Sequence, residues 1–204
     1  MIRFLIFFLF FFSLSLSQNQ KIDVSFYDLD LDFDIENKSI NGSNTLFFNV
    51  LENLDTLQLN LFQDFAIDSV LFLDSKCDFK HIDNNIYIFF KNTLYVGDYN
   101  IEVFYSGKPQ VAKNAPWEGG FVWDKDSFGN HWVGVACQGI GSSVWWPSRD
   151  VLYDEPDSIR FSATVPKNLK VVSNGNLLFS KDTIINGLNK KLFVWKNSYP
   201  INNY

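Results

Sequence analysis

Metal chemistry has little to work with in this chain. Its 204 residues include two histidines and two cysteines. His81, His131, Cys77 and Cys137 lie far apart and give no zinc-ligand spacing. Neither histidine begins H-E-x-x-H. A serine hydrolase is excluded on similar grounds. Ser142 and Ser143 sit in GIGSSVW, which is not G-x-S-x-G and is not followed by a helix. Gly139 and Gly141 are an isolated pair without a basic residue on a following helix, so no phosphate cradle exists. The formal charge is −6 with no basic run, which excludes nucleic acid as a partner. No 11-residue window carries a helical period of apolar residues. There is no internal repeat and no low-complexity linker.

The chain opens with the pattern of an export leader. Arg3 is followed by an unbroken apolar run from Phe4 to Phe12, and Ser15 and Ser17 are small residues ahead of a cleavage before Gln18. The run is too short to span a bilayer, which takes about 20 apolar residues, so no transmembrane segment is expected after cleavage. Removing residues 1–17 leaves 187 and, with Arg3 gone, moves the charge from −6 to −7. That length suits a single domain with a sizeable core.

The mature region reads as strands. Tyr27 to Glu36, YDLDLDFDIE, alternates apolar and acidic residues, with the Asp side expected to face water rather than to hold calcium. Asn37 to Asn41 turns the chain and Ile40 to Val50 returns. Two N-x-S sequons, at Asn37 and Asn41, fall in this hairpin and would carry glycans in a eukaryotic secreted protein. Further strands are expected at Thr56–Leu61, Ala66–Leu73, Ile86–Phe90 and Asp98–Tyr105. Phe121–Trp123 and His131–Val135 flank a turn. The series closes with Ile159–Val165, Val171–Ser173, Leu177–Ser180 and Lys191–Lys196. The fold class is all-β, a saddle-like multi-stranded antiparallel sheet or a sandwich.

Candidate chemistry concentrates between Val135 and Val172. Gln138 stands in a loop of small residues, and its amide offers both donor and acceptor to a ligand amine or carbonyl. Trp145-Trp146-Pro147 follows. Asp154-Glu155-Pro156 is the densest acidic cluster; adjacent carboxylates seldom face each other, so a rigid corner paired with Arg149 or Arg160 is the expected role. No residue is assigned a catalytic role and none a metal. Cys77 and Cys137 can form one disulfide in an exported chain or remain separate thiols.

These residues, taken in order, resemble the N-terminal domain of the aminopeptidase N family of zinc metallopeptidases. Gly97 to Gly107, GDYNIEVFYSG, is similar to that family's G-x-Y-x-L-x-I-x-Y-x-G strand, and Gly120-Phe121 to the element after it. Gln138, nine residues before Pro147, matches the family's substrate Gln and its F-P pair, with Trp146 in place of Phe. Asp154-Glu155-Pro156 matches the D-E-P that follows, and Pro166 with Ser173-Asn174-Gly175 the P…S-N block. Ala136 replaces a second Gln, an Arg between Gln and Pro is absent, and four extra residues separate Pro147 from Asp154.

The resemblance implies a β saddle whose Gln138 loop projects into a neighbouring zinc catalytic domain. There Gln138 would help hold the substrate's free N-terminus. Zinc belongs to that domain, and this chain is expected to bind no cofactor and to be inactive alone. Its ending, Tyr199 to Tyr204, reads as a truncation. The expected function is the substrate-contacting domain of an exported aminopeptidase, periplasmic or secreted in a bacterium. The alternative is a stand-alone secreted β module that stacks peptides or glycans on Trp117, Trp145 and Trp146.

Overall fold

The computed structural model describes residues 20–115 and 118–200. The leader, Trp117 and the last four residues therefore lie outside it. Thirteen strands run through the described residues: β1 Ile22–Asp34, β2 Ser39–Val50, β3 Leu54–Asn60, β4 Phe65–Phe72, β5 Ser75–Lys76, β6 Asp78–Ile82, β7 Asn85–Leu94, β8 Gly97–Gly107, β9 Gly120–Lys125, β10 His131–Ala136, β11 Ser158–Pro166, β12 Asn176–Ile185 and β13 Leu188–Ser198. A single 3-10 turn, Ser142–Val144, is the one helical element among them.

Eight strands form one sheet in the order β12-β13-β11-β1-β2-β8-β4-β5. A small sheet, β3-β7-β6, and the hairpin β9-β10 complete the molecule. The alternation in β1 does what its pattern demands. Tyr27, Leu29, Leu31 and Phe33 are buried while Asp28, Asp30, Asp32 and Asp34 point the other way. A bulge at Ser25 shifts the phase, so Val24 and Tyr27 both reach the inner face. Leu46 and Phe48 from β2, and Ile101, Val103 and Tyr105 from β8, continue that face. Leu57, Leu59, Ile86 and Ile88 of the small sheet join the same core cluster. Each fully buried aliphatic contributes about 1.5–3 kcal/mol.

Four expectations change. First, the large sheet is mixed, because β1 pairs with β11 in parallel. Parallel neighbours need a long crossover, and everything between Asp34 and Ser158 supplies it. Second, the Asp row is not simply solvated. Arg160 binds Asp28, and Lys190 binds Asp32. Burial and the neighbouring Asp28 push the Asp30 carboxyl up. Third, Val171–Ser173 is not a strand. The chain turns after Pro166, with the Leu169 amide donating to the Pro166 carbonyl, and β13 pairs with β12 only from Asn176 onward. Fourth, Leu177–Ser180 and Lys191–Lys196 are strands as expected, but they lengthen to Asn176–Ile185 and Leu188–Ser198 and form one hairpin. It is closed by Asn186-Gly187, both with positive φ, the two-residue turn that suits strand twist.

Candidate functional site

The segment from β10 to β11 crosses the inner face of the large sheet and is held there residue by residue. Trp145 and Trp146 do the apolar work. Trp146 is 6% exposed and meets Tyr27 edge-on at 4.7 Å between ring centroids. Trp145 packs edge-on against Phe121 and Phe161, both at 5.7 Å. The sheet then reaches up with polar groups. The Tyr105 hydroxyl donates to the Trp145 carbonyl at 3.0 Å. The Asn44 amide donates to the Pro147 carbonyl at 2.7 Å. The Arg149 amide donates to the Tyr27 hydroxyl at 3.1 Å. Burial pushes both phenols well above their ordinary range, so they act as neutral hydrogen-bonding groups.

Asp154 forms the expected corner. Its carboxylate is fully buried, accepts from the Val24 amide at 3.0 Å, and pairs with Arg149 at 2.7 Å. Arg149 also donates to the Ile22 carbonyl at 2.8 Å. Burial pushes the Asp154 carboxyl up, and the Val24 amide and Arg149 work against that by favouring the ionised form. Arg160, the other partner considered, is taken by Asp28. Glu155 is exposed, so the two adjacent carboxylates do not face each other and no general acid and base pair forms.

Asp150 was not singled out in the sequence, and the structure gives it the largest role. Its carboxylate accepts from the Ser142 amide at 3.0 Å, the Ser143 amide at 3.2 Å, the Ser142 hydroxyl at 3.1 Å and the Ser148 hydroxyl at 3.2 Å. Its own amide donates to Asn60 Oδ1 at 3.1 Å, and Asn60 and Ser148 exchange backbone hydrogen bonds. Asn60 ends β3, so the small sheet anchors the segment. No sequence signal announces this contact, which joins residues 90 positions apart.

Gln138 stands at the exposed tip of this arrangement. Cys137-Gln138-Gly139-Ile140 is a β-turn in which the Ile140 and Gly141 amides both donate to the Cys137 carbonyl, at 3.1 and 2.9 Å. Gly139 has φ 78°, the value a type II turn needs at its third position. The Gln138 side chain is exposed and makes no hydrogen bond among the described residues. A cleft of about 330 Å³ beside Lys21, Gln58, Asn60, Arg149 and Tyr153 does not include it. The amide is therefore presented on a firm turn but not enclosed.

The remaining candidates have structural duties. The Ser142 hydroxyl lies 2.8 Å from the Ser148 hydroxyl and 3.1 Å from the Asp150 carboxylate, and its single proton serves one of them at a time. His81 bonds the Leu61 carbonyl at 2.9 Å, and His131 meets Glu36 at 3.2 Å; neither bonds a serine. Cys77 and Cys137 do not pair. Burial pushes the Cys137 thiol up to about 11, with the Trp145 side chain pulling the other way, so it is not a thiolate at neutral pH. Among the described residues no group of three or more His, Cys, Asp or Glu is placed to hold a metal ion. These residues do not fit a catalytic zinc. Trp146 is buried, and Trp145 is partly buried with its ring packed against the core; Trp117 is outside the described residues.

No family model matches the sequence, and no curated protein matches it either. Solved structures do match. The M1 zinc metallopeptidase from Deinococcus radiodurans superposes with a TM-score of 0.66 at 18% identity, over 86% of this chain and 39% of that one. A variant of that enzyme bound to a Tyr-Ser-Ala substrate gives 0.67 at 19%, over 85% and 39%. Yeast LTA4 hydrolase in complex with bestatin gives 0.67 at 18%, over 90% and 28%. The chain thus spans well under half the length of the solved chains it matches. The likeness establishes the fold, which is that of the N-terminal β domain of M1 zinc metallopeptidases.

Proposed function

We propose that this chain is the substrate-contacting N-terminal domain of an exported zinc metallo-aminopeptidase, which releases amino acids from peptide N-termini. The observation that carries the reading is the state of Gln138. The matching motif residues Tyr105, Pro147 and Asp154 are committed to holding the segment in place. Gln138 is left exposed, and its amide makes no hydrogen bond among the described residues. A firm turn that ends in an unused donor and acceptor is what an interdomain substrate contact requires.

In this reading the Gln138 amide oxygen accepts a hydrogen bond from the substrate's ammonium. A second surface, on a zinc-bearing catalytic domain, closes the site that Gln138 alone does not enclose. The zinc supplies Lewis-acid chemistry from that domain. This chain's own contribution is to bind and orient the N-terminus. Residues 1–17 direct export, which places the enzyme in a periplasm or outside the cell.

Less supports the stand-alone alternative, because Trp146 is buried and Trp145 is packed against the core. The test is an aminoacyl-chromogen assay with and without chelator. The pure chain should show no turnover. The polypeptide that joins this domain to its zinc domain should show turnover that chelator abolishes. Chelator-sensitive turnover by the pure chain, or none by the joined polypeptide, contradicts the reading.

A further inference from the structure

We propose that Asp150 is the positioning residue of the Gln138 turn, setting where the amide stands through a relay that begins in the small sheet. The steps are on the page. Asn60 closes β3 and holds the Asp150 amide at 3.1 Å. The Asp150 carboxylate then takes the Ser142 and Ser143 amides, at 3.0 and 3.2 Å, and the hydroxyls of Ser142 and Ser148. Ser143 is fixed from its other side, where its carbonyl accepts from the Phe62 amide at 2.9 Å. These bonds pin the C-terminal leg of the turn. The N-terminal leg is pinned by β10, whose last residue, Ala136, pairs with Gly120.

The fit is close. Gly141 lies against the carboxylate with φ 81°, and a Cβ there would sit 2.3 Å from Asp150 Oδ2. A carboxylate is the group suited to this task. It accepts several hydrogen bonds at once, and bonds to an ionised acceptor are about twice as strong as neutral ones. An amide at this position offers one oxygen, and its NH2 group in the place of Oδ2 meets the Ser143 amide donor to donor. Arg149 and Asp154, although adjacent, anchor a different stretch: they tie the corner to Ile22 and Val24 and make no bond to residues 137–143.

The order of the turn is independent of what Gln138 touches. The kinetic consequence rests on the aminopeptidase reading, and the experiment separates the two. Amide hydrogen exchange on the full chain should show Asp150→Asn speeding exchange of the Ile140 to Ser143 amides at least tenfold, with β1, β2 and β8 unchanged. Unchanged exchange at Ile140 to Ser143, or equal loosening everywhere, overturns the proposal.

Should Asp150→Asn fail to fold, Gly141→Ala displaces the carboxylate from the opposite side and should loosen the same four amides. Wild-type exchange in Gly141→Ala overturns the proposal equally. In the zinc-bearing polypeptide, Asp150→Asn should lower kcat/KM for unblocked peptides at least tenfold. That loss should shrink to within twofold in a Gln138→Ala background, because both changes remove the same contact. Additive losses overturn the positioning role. A Gln138→Ala enzyme with wild-type kcat/KM overturns the Gln138 substrate contact instead, and leaves the exchange result to decide on Asp150.

Discussion

The central strands β1, β2 and β8 and the segment from Cys137 to Asp154 are held by different physics. The strands are held by repetition. Apart from the bulge at Ser25, side chains largely alternate between buried and outward, most backbone groups have a ladder partner, and any one residue is one of many. The segment has almost no ladder. It is held by single polar anchors: Asn44, Tyr105, Asp150 and the Arg149–Asp154 pair. A repeated structure tolerates local error and resists reshaping. An anchored one can be given any path, at the risk of losing it with one substitution. The fold places its unused amide on the second kind, within reach of the first.

The contrast is broken most severely at Arg149. Arg149→Ala leaves the fully buried Asp154 carboxylate without its cation, and breaking a buried pair in this way costs about 3–5 kcal/mol. Urea denaturation at neutral pH should register that loss. The sign of its pH dependence follows from Asp154. Its folded-state affinity for a proton is raised by burial, so the native state binds the proton more readily than the unfolded chain. Stability then falls as pH rises from the ordinary aspartate range through the raised native value. Removing Arg149 extends that window upward, and the destabilisation should shrink in acid, where the carboxyl is neutral.

Leu46→Ala tests the repetitive region. Leu46 is fully buried in β2, and truncating such a leucine costs about 2–5 kcal/mol, depending on how far the site collapses. The loss should be nearly independent of pH, unlike that at Arg149. Asn44→Ala comes next. It lies on the same strand but serves the segment, and it leaves the Pro147 carbonyl without its donor. An orphaned buried acceptor costs about 1–3 kcal/mol. The loss in Asn44→Ala should be accompanied by a change in tryptophan fluorescence from Trp145 and Trp146, which Leu46→Ala need not produce.

The same division governs what the sequence discloses. β1 was legible because Leu29, Leu31 and Phe33 alternate with aspartates and the sheet buries one face. The Asp98–Tyr105 strand was legible from its residues and the turn clusters beside it, and the Asp154 corner from Pro156, with its cation narrowed to Arg149 or Arg160. The Asn186-Gly187 turn was legible and overlooked; the dipeptide alone signals a tight hairpin. Asp150 was not legible. Nothing local distinguishes it from other loop aspartates, and its role exists only once Asn60 and Ser142 arrive from elsewhere in the chain. The packing of Trp145 and Trp146 was hidden for the same reason, since an aromatic pair reads alike in a core and on a binding surface. Periodicity records burial, whereas anchors depend on tertiary proximity.

A smaller effect sharpens the comparison at the hairpin tips. The Asn37 side chain, donating to Asp34, holds that carboxyl below the ordinary aspartate range, and Asn130 does the same for Asp126. Each contributes stability above its unfolded value that is lost as pH falls through the lowered native value. NMR titration should find both below the ordinary aspartate range and Asp154 above it.

The central claim is that the Gln138 amide meets a substrate's free ammonium, and one comparison tests it most directly. Gln138→Ala should change stability by no more than about 0.5 kcal/mol, as an exposed side chain with no hydrogen bond among the described residues should. A hydrogen bond to a charged group is worth about 1.5–3 kcal/mol, so kcat/KM of the zinc-bearing polypeptide on unblocked peptides should fall roughly ten- to hundred-fold. Gln138→Glu should keep or improve that efficiency, because a carboxylate pairs with an ammonium more strongly. Residual turnover of N-acetylated peptides, which lack the charge, should be indifferent to either change. The account is contradicted if Gln138→Ala unfolds the domain while efficiency per folded molecule stays intact, or if blocked and unblocked peptides lose efficiency alike.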